Sequence, residues 1–90
     1  MTLQRFIIER DAPAVGSLEM EQMRAGLSKS KDVMRQLGPD IQWAQSYVGG
    51  DKYYCVFLAK DEAIVRKHAE MAGLPVTRIE RVGKVVDPTT

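Results

Sequence analysis

The stretch Ile41–Lys60 constrains the fold more than any other part of this chain. Its sequence, IQWAQSYVGGDKYYCVFLAK, consists of two apolar, aromatic-rich runs joined by Gly49-Gly50-Asp51. Two such runs on either side of a glycine-rich turn predict a β-hairpin. The return run, Tyr53–Leu58, has no polar face. A strand that is apolar on both sides is buried on both sides. Something must therefore cover each face of the sheet to which it belongs.

Helical patterns flank the hairpin. The first carries apolar residues at steps of three and four, which is the spacing of an amphipathic helix; they are Met20, Met23, Leu27, Met34 and Leu37, with the polar Ser30 interrupting the stripe. We expect Ser17 to cap this helix and Gly38-Pro39 to end it. The second pattern comprises Ile64, Val65, His68, Ala69 and Ala72. We expect Asp61 to cap the second helix and Gly73 to end it.

Short β-like runs at Leu3–Glu9 and Thr77–Val86 complete the pattern. The order is therefore strand, helix, hairpin, helix, strand. With right-handed crossovers, this order predicts an α+β ferredoxin-like sandwich, a four-stranded antiparallel sheet with two helices on one face and strand order 4-1-3-2. We expect residues 1–90 to form one such domain. The opposite sheet face is left bare, so we expect a homodimer through that open face.

Composition excludes several classes of protein. Thirteen basic and twelve acidic residues give a net charge of +1, and neither sign forms a block, so a nucleic-acid partner has no support. No apolar run approaches the roughly 18 residues of a membrane span. The single cysteine cannot form an internal disulfide, which favours a reducing compartment. We therefore expect a cytoplasmic protein with no membrane partner.

The second half of the chain resembles a known family. The matching stretches are Trp43–Val48, Asp51–Phe57, Ile64, His68-Ala69, Gly73-Leu74-Pro75, Ile79, Val82 and Val86-Asp87-Pro88. They are similar to those of a family of small ferredoxin-like proteins that is classed as a domain of unknown function and includes nickel-binding, nickel-responsive members. The resemblance implies a ferredoxin-like homodimer and the binding of a transition metal such as Ni²⁺.

The first functional hypothesis is a protein that binds a small ligand or a metal ion. His68 lies on the apolar stripe of the second helix and should face the sheet, where it could line a polar site with Glu9, Tyr53 and Cys55. The alternative for His68 is a hydrogen-bonded core residue, and for Cys55 it is an inert buried hydrophobe.

The second hypothesis is a cofactor-free enzyme of the dimeric α/β-barrel type, an isomerase or a monooxygenase acting on a hydrophobic small molecule. His68 would be its general acid or base, and Tyr54 or Tyr47 would orient the substrate. An apolar pocket reaching His68 would favour this enzyme, whereas a tight polar cluster would favour the metal site. A purely structural dimer predicts neither.

Polar and aromatic residues are also expected on the open sheet face, as a ligand cleft or as a dimer interface. This set comprises Arg5, Glu9, Trp43, Gln45, Tyr47, Tyr53 and Arg81.

Overall fold

The computed structural model describes residues 2–90. The elements follow in the order β1 (Gln4–Asp11), α1 (Met20–Leu37), β2 (Ile41–Val48), β3 (Lys52–Ala59), α2 (Glu62–Ala72) and β4 (Arg78–Arg81). The strands form one antiparallel sheet in the order β2-β3-β1-β4. The predicted ferredoxin-like sandwich and its strand order are thus confirmed. Within residues 2–90, neither helix is both long enough and apolar enough to span a bilayer.

The hydrophobic core lies between the sheet and the two helices. Its buried members are Phe6, Ile8, Ile41, Cys55, Phe57, Ala59, Ile64 and Val65. Most of the strand residues come from β1 and β3, because these two central strands each pair with a neighbour on both sides. Burying each large apolar side chain contributes about 1.5–3 kcal/mol. The other face of the sheet has no helix to cover it.

Local capping signals define α2 as the sequence predicts. The Ile64 amide donates to Oδ1 of Asp61 at 2.9 Å, which satisfies a backbone donor in the first turn. Gly73 ends the helix in the left-handed conformation, at φ 68°. Both predictions are confirmed.

The start of α1 differs from the sequence prediction. Glu19, and not Ser17, is the N-cap, and its amide donates to Oε1 of Gln22 at 2.9 Å while the Glu19 side chain accepts from the Gln22 amide. This reciprocal pair is a capping box. Ser17 belongs to a preceding 3₁₀ turn, Val15–Ser17, and its hydroxyl donates to the Ala14 carbonyl at 2.7 Å.

A β-bulge in β2 changes which side chains share a face. The register with β3 shifts between Trp43 and Gln45. Trp43 and Ser46 therefore both lie on the helix side, where the Trp43 indole donates to Oγ of Ser46 at 2.9 Å. The expectation that Trp43 shares the open face with Gln45 and Tyr47 was wrong, because strict alternation holds only without a bulge.

The last strand is shorter than the predicted run Thr77–Val86. β4 pairs only with β1, and its final ladder bond runs from the Val82 amide to the Arg5 carbonyl at 2.8 Å. Beyond this point β1 has little strand left to pair with. Val85 and Val86 are accordingly 71% exposed. These two apolar residues predicted a longer strand, but β4 ends before them.

The connection between β1 and α1 lies against the hairpin turn. The Gly16 amide donates to the Gly50 carbonyl at 2.9 Å, and the Ala14 amide donates to Oδ1 of Asp51 at 2.8 Å. A Cβ at Gly16 would lie 2.3 Å from the Gly49 carbonyl oxygen, so only glycine permits this approach. The contact fixes one wall of the space between α1 and the hairpin.

Candidate functional site

Two buried pairs, Arg10 with Cys55 and Ser30 with His68, lie between the sheet and the helices, and both pairs adjoin Phe57. Arg10 comes from β1, Ser30 from α1, Cys55 from β3 and His68 from α2, and we call them the buried polar cluster. Alternation along β1 places Arg10 on the helix side, in line with the core residues that precede it. Both Arg10 and His68 are 0% exposed. Charged side chains are almost never buried to this extent without a partner.

The Arg10 guanidinium makes contacts with neutral groups. Its Nη1 donates to the Pro75 carbonyl at 2.8 Å, and its Nε lies 3.5 Å from Sγ of Cys55. Its central carbon lies 5.9 Å from the ring centroids of both Tyr53 and Phe57, within the range of cation–π attraction. Its Nη2 has no hydrogen-bond partner among residues 2–90. Arg10 therefore keeps one buried donor available.

No carboxylate in residues 2–90 lies within ion-pair distance of Arg10. Removing a charge from water costs several kcal/mol, and an opposite charge normally offsets most of it. The hydrogen bond to the Pro75 carbonyl and the two cation–π contacts offset only part of this desolvation cost, since each contributes about 0.5–2 kcal/mol. The cluster thus holds an uncompensated positive charge in an apolar environment.

His68 is a neutral member of the cluster. Its Nε2 lies 2.9 Å from Oγ of Ser30, and its ring meets Phe57 edge-on at 5.0 Å. Its Nδ1 has no partner. Burial lowers the pKa of His68 below 6.5, and the charge of Arg10 lowers that pKa further, although an interaction with the Ser30 backbone opposes both effects. The hydrogen-bonded core alternative describes His68 well.

Cys55 is a free thiol on the helix side of β3. Its sulfur accepts a hydrogen bond from Oγ of Ser46 at 3.1 Å and lies beside Nε of Arg10. Tyr53, two residues away on the same face, covers the guanidinium. Burial raises the pKa of the Tyr53 phenol, and the charge of Arg10 opposes part of that rise. The charge of Arg10 thus lowers the pKa of both Tyr53 and His68 relative to the effect of the remaining protein.

An apolar cavity of about 250 Å³ lies between α1 and the hairpin. Its apolar walls include Val15, Leu18, Met23, Leu27, Val48 and Leu74. Two further lining residues, Tyr53 and Ser46, contact the buried polar cluster through Arg10 and Cys55. Leu74 also lines the cavity and precedes Pro75, whose carbonyl binds Arg10. The cavity and the cluster therefore share walls.

The structure separates the residues of the metal hypothesis. His68, Cys55 and Tyr53 lie on the helix side of the sheet. Glu9 lies on the open face, where its Oε2 is 2.7 Å from Nζ of Lys52. The sheet therefore keeps the Glu9 carboxylate away from His68 within one chain.

The residues of the enzyme hypothesis are separated in the same way. Tyr47 and Tyr54 form a cross-strand pair that is exposed on the open face, whereas His68 is buried beneath the helices. His68 is also not among the residues that line the cavity.

The open sheet face combines exposed apolar groups with paired charges. Ile7, Tyr47 and Tyr54 are exposed there. Lys52 contacts Glu9, and Arg78 contacts Glu80 at 2.8 Å. Glu9, followed by Asp11, raises the pKa of Lys52. Of the set expected on this face, Tyr53 and Trp43 pack on the core side instead, and Arg81 pairs with the inward-facing Phe6.

Comparison with known proteins identifies the family. The profile described as "Nickel responsive protein SCO4226-like" matches residues 6–82. The chain belongs to this SCO4226-like family. The crystal structure of SCO4226 from Streptomyces coelicolor A3(2) superposes with a TM-score of 0.75 at 14% identity, covering 91% of this chain and 99% of that one. A search of curated proteins gives no match. The resemblance inferred from the sequence is thus confirmed for the family and the fold.

Because the family description names nickel, we compared the side-chain donors of this chain with the ligands that nickel requires. A nickel site needs several N, O or S donors. Within residues 2–90 of this SCO4226-like protein, no three His, Cys, Asp or Glu side chains are grouped so that they could hold an ion. Arg10 places a positive charge beside Cys55, which opposes a cation there. The donors of a single chain therefore do not fit nickel.

Sequence reasoning missed two members of the cluster. Arg10 follows Phe6 and Ile8 at steps of two, so strand alternation alone places it on the core side. Ser30 seemed only to interrupt the apolar stripe of α1, yet it is one of the two buried residues of that helix. In both cases, a polar residue at a position where the pattern predicts a buried apolar one indicated a member of the cluster.

Proposed function

We propose that this SCO4226-like protein is a homodimer that binds a small molecule in the cavity between α1 and the hairpin. One observation carries the proposal: an apolar cavity of about 250 Å³ adjoins the buried polar cluster, through Tyr53 and Ser46. Ligand sites commonly combine apolar walls with a few polar groups that orient the ligand.

Binding in this cavity can be tested with a variant that fills it. Gly26 lines the cavity, and a Cβ at this position would have no atom within 4 Å. Gly26→Leu should therefore fold, fill the cavity and abolish the ligand-dependent rise in the unfolding midpoint. Gly26→Ala, which adds only a methyl group, is the matched control and should keep that rise. Octan-1-ol is a suitable neutral probe. Equal rises in Gly26→Leu and the wild type would contradict binding at this place.

The open sheet face supports the homodimer. Helices cover only one face of the sheet, and the other exposes Ile7, Tyr47 and Tyr54 among paired charges. Aromatic residues enriched among matched charges are typical of protein interfaces. A second copy would bury these groups and stabilise a chain whose own core is small. The free thiol of Cys55 accords with the expected cytoplasmic location.

Nickel binding is the second candidate, and the family match supports it. Because the donors of one chain do not suffice, a nickel site would need ligands from two chains. Glu9 and Glu80 lie on the face that a dimer would share. Thermal unfolding of chelator-treated protein with Ni²⁺, Zn²⁺, Co²⁺ or Cu²⁺ tests this candidate. A rise in the unfolding midpoint that is specific to Ni²⁺ and lost in Glu9→Gln would support it. The control Glu62→Gln, at an exposed position of α2, should retain the rise. No rise with any ion would exclude it.

A further inference from the structure

We propose that the cavity ligand carries a carboxylate on an apolar body, and that the Arg10 guanidinium binds the carboxylate. The inference rests on the proposed function, since it names the chemical class that the cavity accepts. It starts from a buried positive charge for which residues 2–90 supply no carboxylate.

The donors of Arg10 specify the head group. Nη1 and Nε are engaged by Pro75 and Cys55, whereas the buried Nη2 has no partner. A guanidinium matches the geometry of a carboxylate and forms short, charge-assisted hydrogen bonds with it. A monoanion would neutralise the single charge of Arg10, whereas a dianion would leave excess negative charge among apolar walls.

His68 supplies a second available polar atom in the same cluster. Its Nδ1 is buried and has no partner, and its ring lies against the same Phe57 ring that Arg10 approaches. When Nδ1 carries the proton, Nε2 accepts from the Ser30 hydroxyl and Nδ1 can donate to an anion. Because His68 does not line the cavity, the neutral imidazole would donate only to a head group that reaches past the cavity wall.

Tyr53 connects the head group with the cavity. Its ring both lines the cavity and covers the guanidinium. Leu74 lines the cavity beside Pro75, which holds Nη1 of Arg10. Arg10 itself does not line the cavity, so binding includes a displacement of the half-buried Tyr53 ring that opens Nη2 to the carboxylate. The polar end of the ligand therefore lies toward β1.

The cavity specifies the body of the ligand. Its walls are mostly aliphatic, and the polar residues among them are Ser46, Tyr53 and Gln22. An apolar protein cavity of about 150 Å³ holds benzene. A cavity of about 250 Å³ therefore suits a chain or ring of roughly six to ten carbon atoms. Medium-chain fatty acids and small aromatic acids belong to this class.

Isothermal titration calorimetry with octanoate and octan-1-ol tests the inference on the full chain. The two probes share the apolar chain and differ in the head group. We expect octanoate to bind about tenfold tighter or more, the gain of a charge-assisted bond. Arg10→Met should remove this preference by weakening the binding of octanoate to about that of octan-1-ol. Arg5→Met, on the open face of the same strand, is the control and should keep the preference.

The outcomes separate the two proposals. Equal binding of both probes by the wild type would overturn the carboxylate inference and leave small-molecule binding intact. Binding of neither probe would overturn both. A preference for octanoate that survives in Arg10→Met would also overturn the role of Arg10. If Arg10→Met does not fold, Gly26→Leu provides the test. Octanoate binding that survives in Gly26→Leu would place the ligand outside the cavity and overturn the inference.

Discussion

The Ser30 hydroxyl lies 2.9 Å from Nε2 of His68, and this bond joins α1 to α2 in the interior of the protein. Both residues are buried, so water cannot replace either partner. The bond also holds the imidazole edge-on against Phe57. His68 is thereby fixed at the position where its second nitrogen stays unpaired in the buried polar cluster.

Replacing Ser30 should expose the contribution of this bond. Ser30→Ala leaves a buried imidazole nitrogen without a partner, which costs about 1–3 kcal/mol. Urea unfolding at pH 7.5 measures the loss in the free energy of unfolding. Ser28→Ala, an exposed change in the same helix, should alter it by less than about 0.5 kcal/mol. Equal effects of the two substitutions would contradict the role given to Ser30.

Stability should fall as the solution becomes acidic near pH 6.5. Burial, followed by the charge of Arg10, lowers the pKa of His68 in the folded state below its value of 6.5. The unfolded chain therefore binds more protons, and the free energy of unfolding decreases as pH falls through 6.5 toward the folded pKa. The stabilisation is fully present above pH 6.5.

Urea unfolding between pH 5 and 7.5 measures this dependence. His68→Gln should remove the part of the slope that lies just below pH 6.5, because glutamine does not titrate. An unchanged slope in His68→Gln would assign the dependence to other groups.

Arg10→Met should not destabilise the ligand-free protein. The substitution removes a buried charge that has no carboxylate partner and keeps an unbranched apolar side chain. Replacing buried charges with apolar groups of similar volume is often neutral or stabilising by about 1–4 kcal/mol. Urea unfolding provides the measurement, with Arg5→Met as the exposed control. A loss above about 2 kcal/mol would mean that the contacts with Pro75 and the aromatic rings outweigh the burial cost.

A charge at the centre of the open face should prevent dimerisation. Ile7 is exposed on β1, a central strand, so Ile7→Lys would place an ammonium in the proposed interface. Sedimentation velocity should show the wild type as a dimer and the variant shifted toward monomer. Met20→Lys, at an exposed position on α1, should leave the dimer intact. A monomeric wild type, or a dimeric Ile7→Lys, would contradict the proposed interface.

The fold was predictable from the sequence because its signals are local. Asp61 and Gly73 bound α2 through contacts within a few residues, and the Gly49-Gly50-Asp51 turn joins two strands that are adjacent in sequence. Glu19 was missed because a glutamate is an uncommon N-cap, and its bond with Gln22 completes the capping box.

Features that depend on pairing between strands were less predictable. The bulge beside Trp43 reverses the alternation of β2, and no residue there signals it. The end of β4 depends on where β1 begins and not on the apolar residues of the tail. Alternation correctly grouped the side chains of β1 and of β3, but the set expected on the open face was wrong for Trp43, Tyr53 and Arg81.

The candidate site was only partly predictable. The helical stripe correctly placed His68 against the sheet. Glu9 and Arg10 are neighbours in sequence but lie on opposite faces, and the Glu9 carboxylate was the more obvious candidate for a metal ligand. Alternation with Phe6 and Ile8 could have selected Arg10. The cavity itself arises from the packing of α1 on the hairpin, which no short sequence pattern encodes.

An isotope-filtered NOE experiment, with unlabelled octanoate and methyl-labelled protein, tests ligand binding at this site most directly. We predict NOEs from the aliphatic chain of octanoate to the methyl groups of Leu27 and Leu74, together with a shift of the Arg10 side-chain Nε–H resonance. NOEs confined to Ile7 on the open face, with no change at Arg10, would contradict the proposed site.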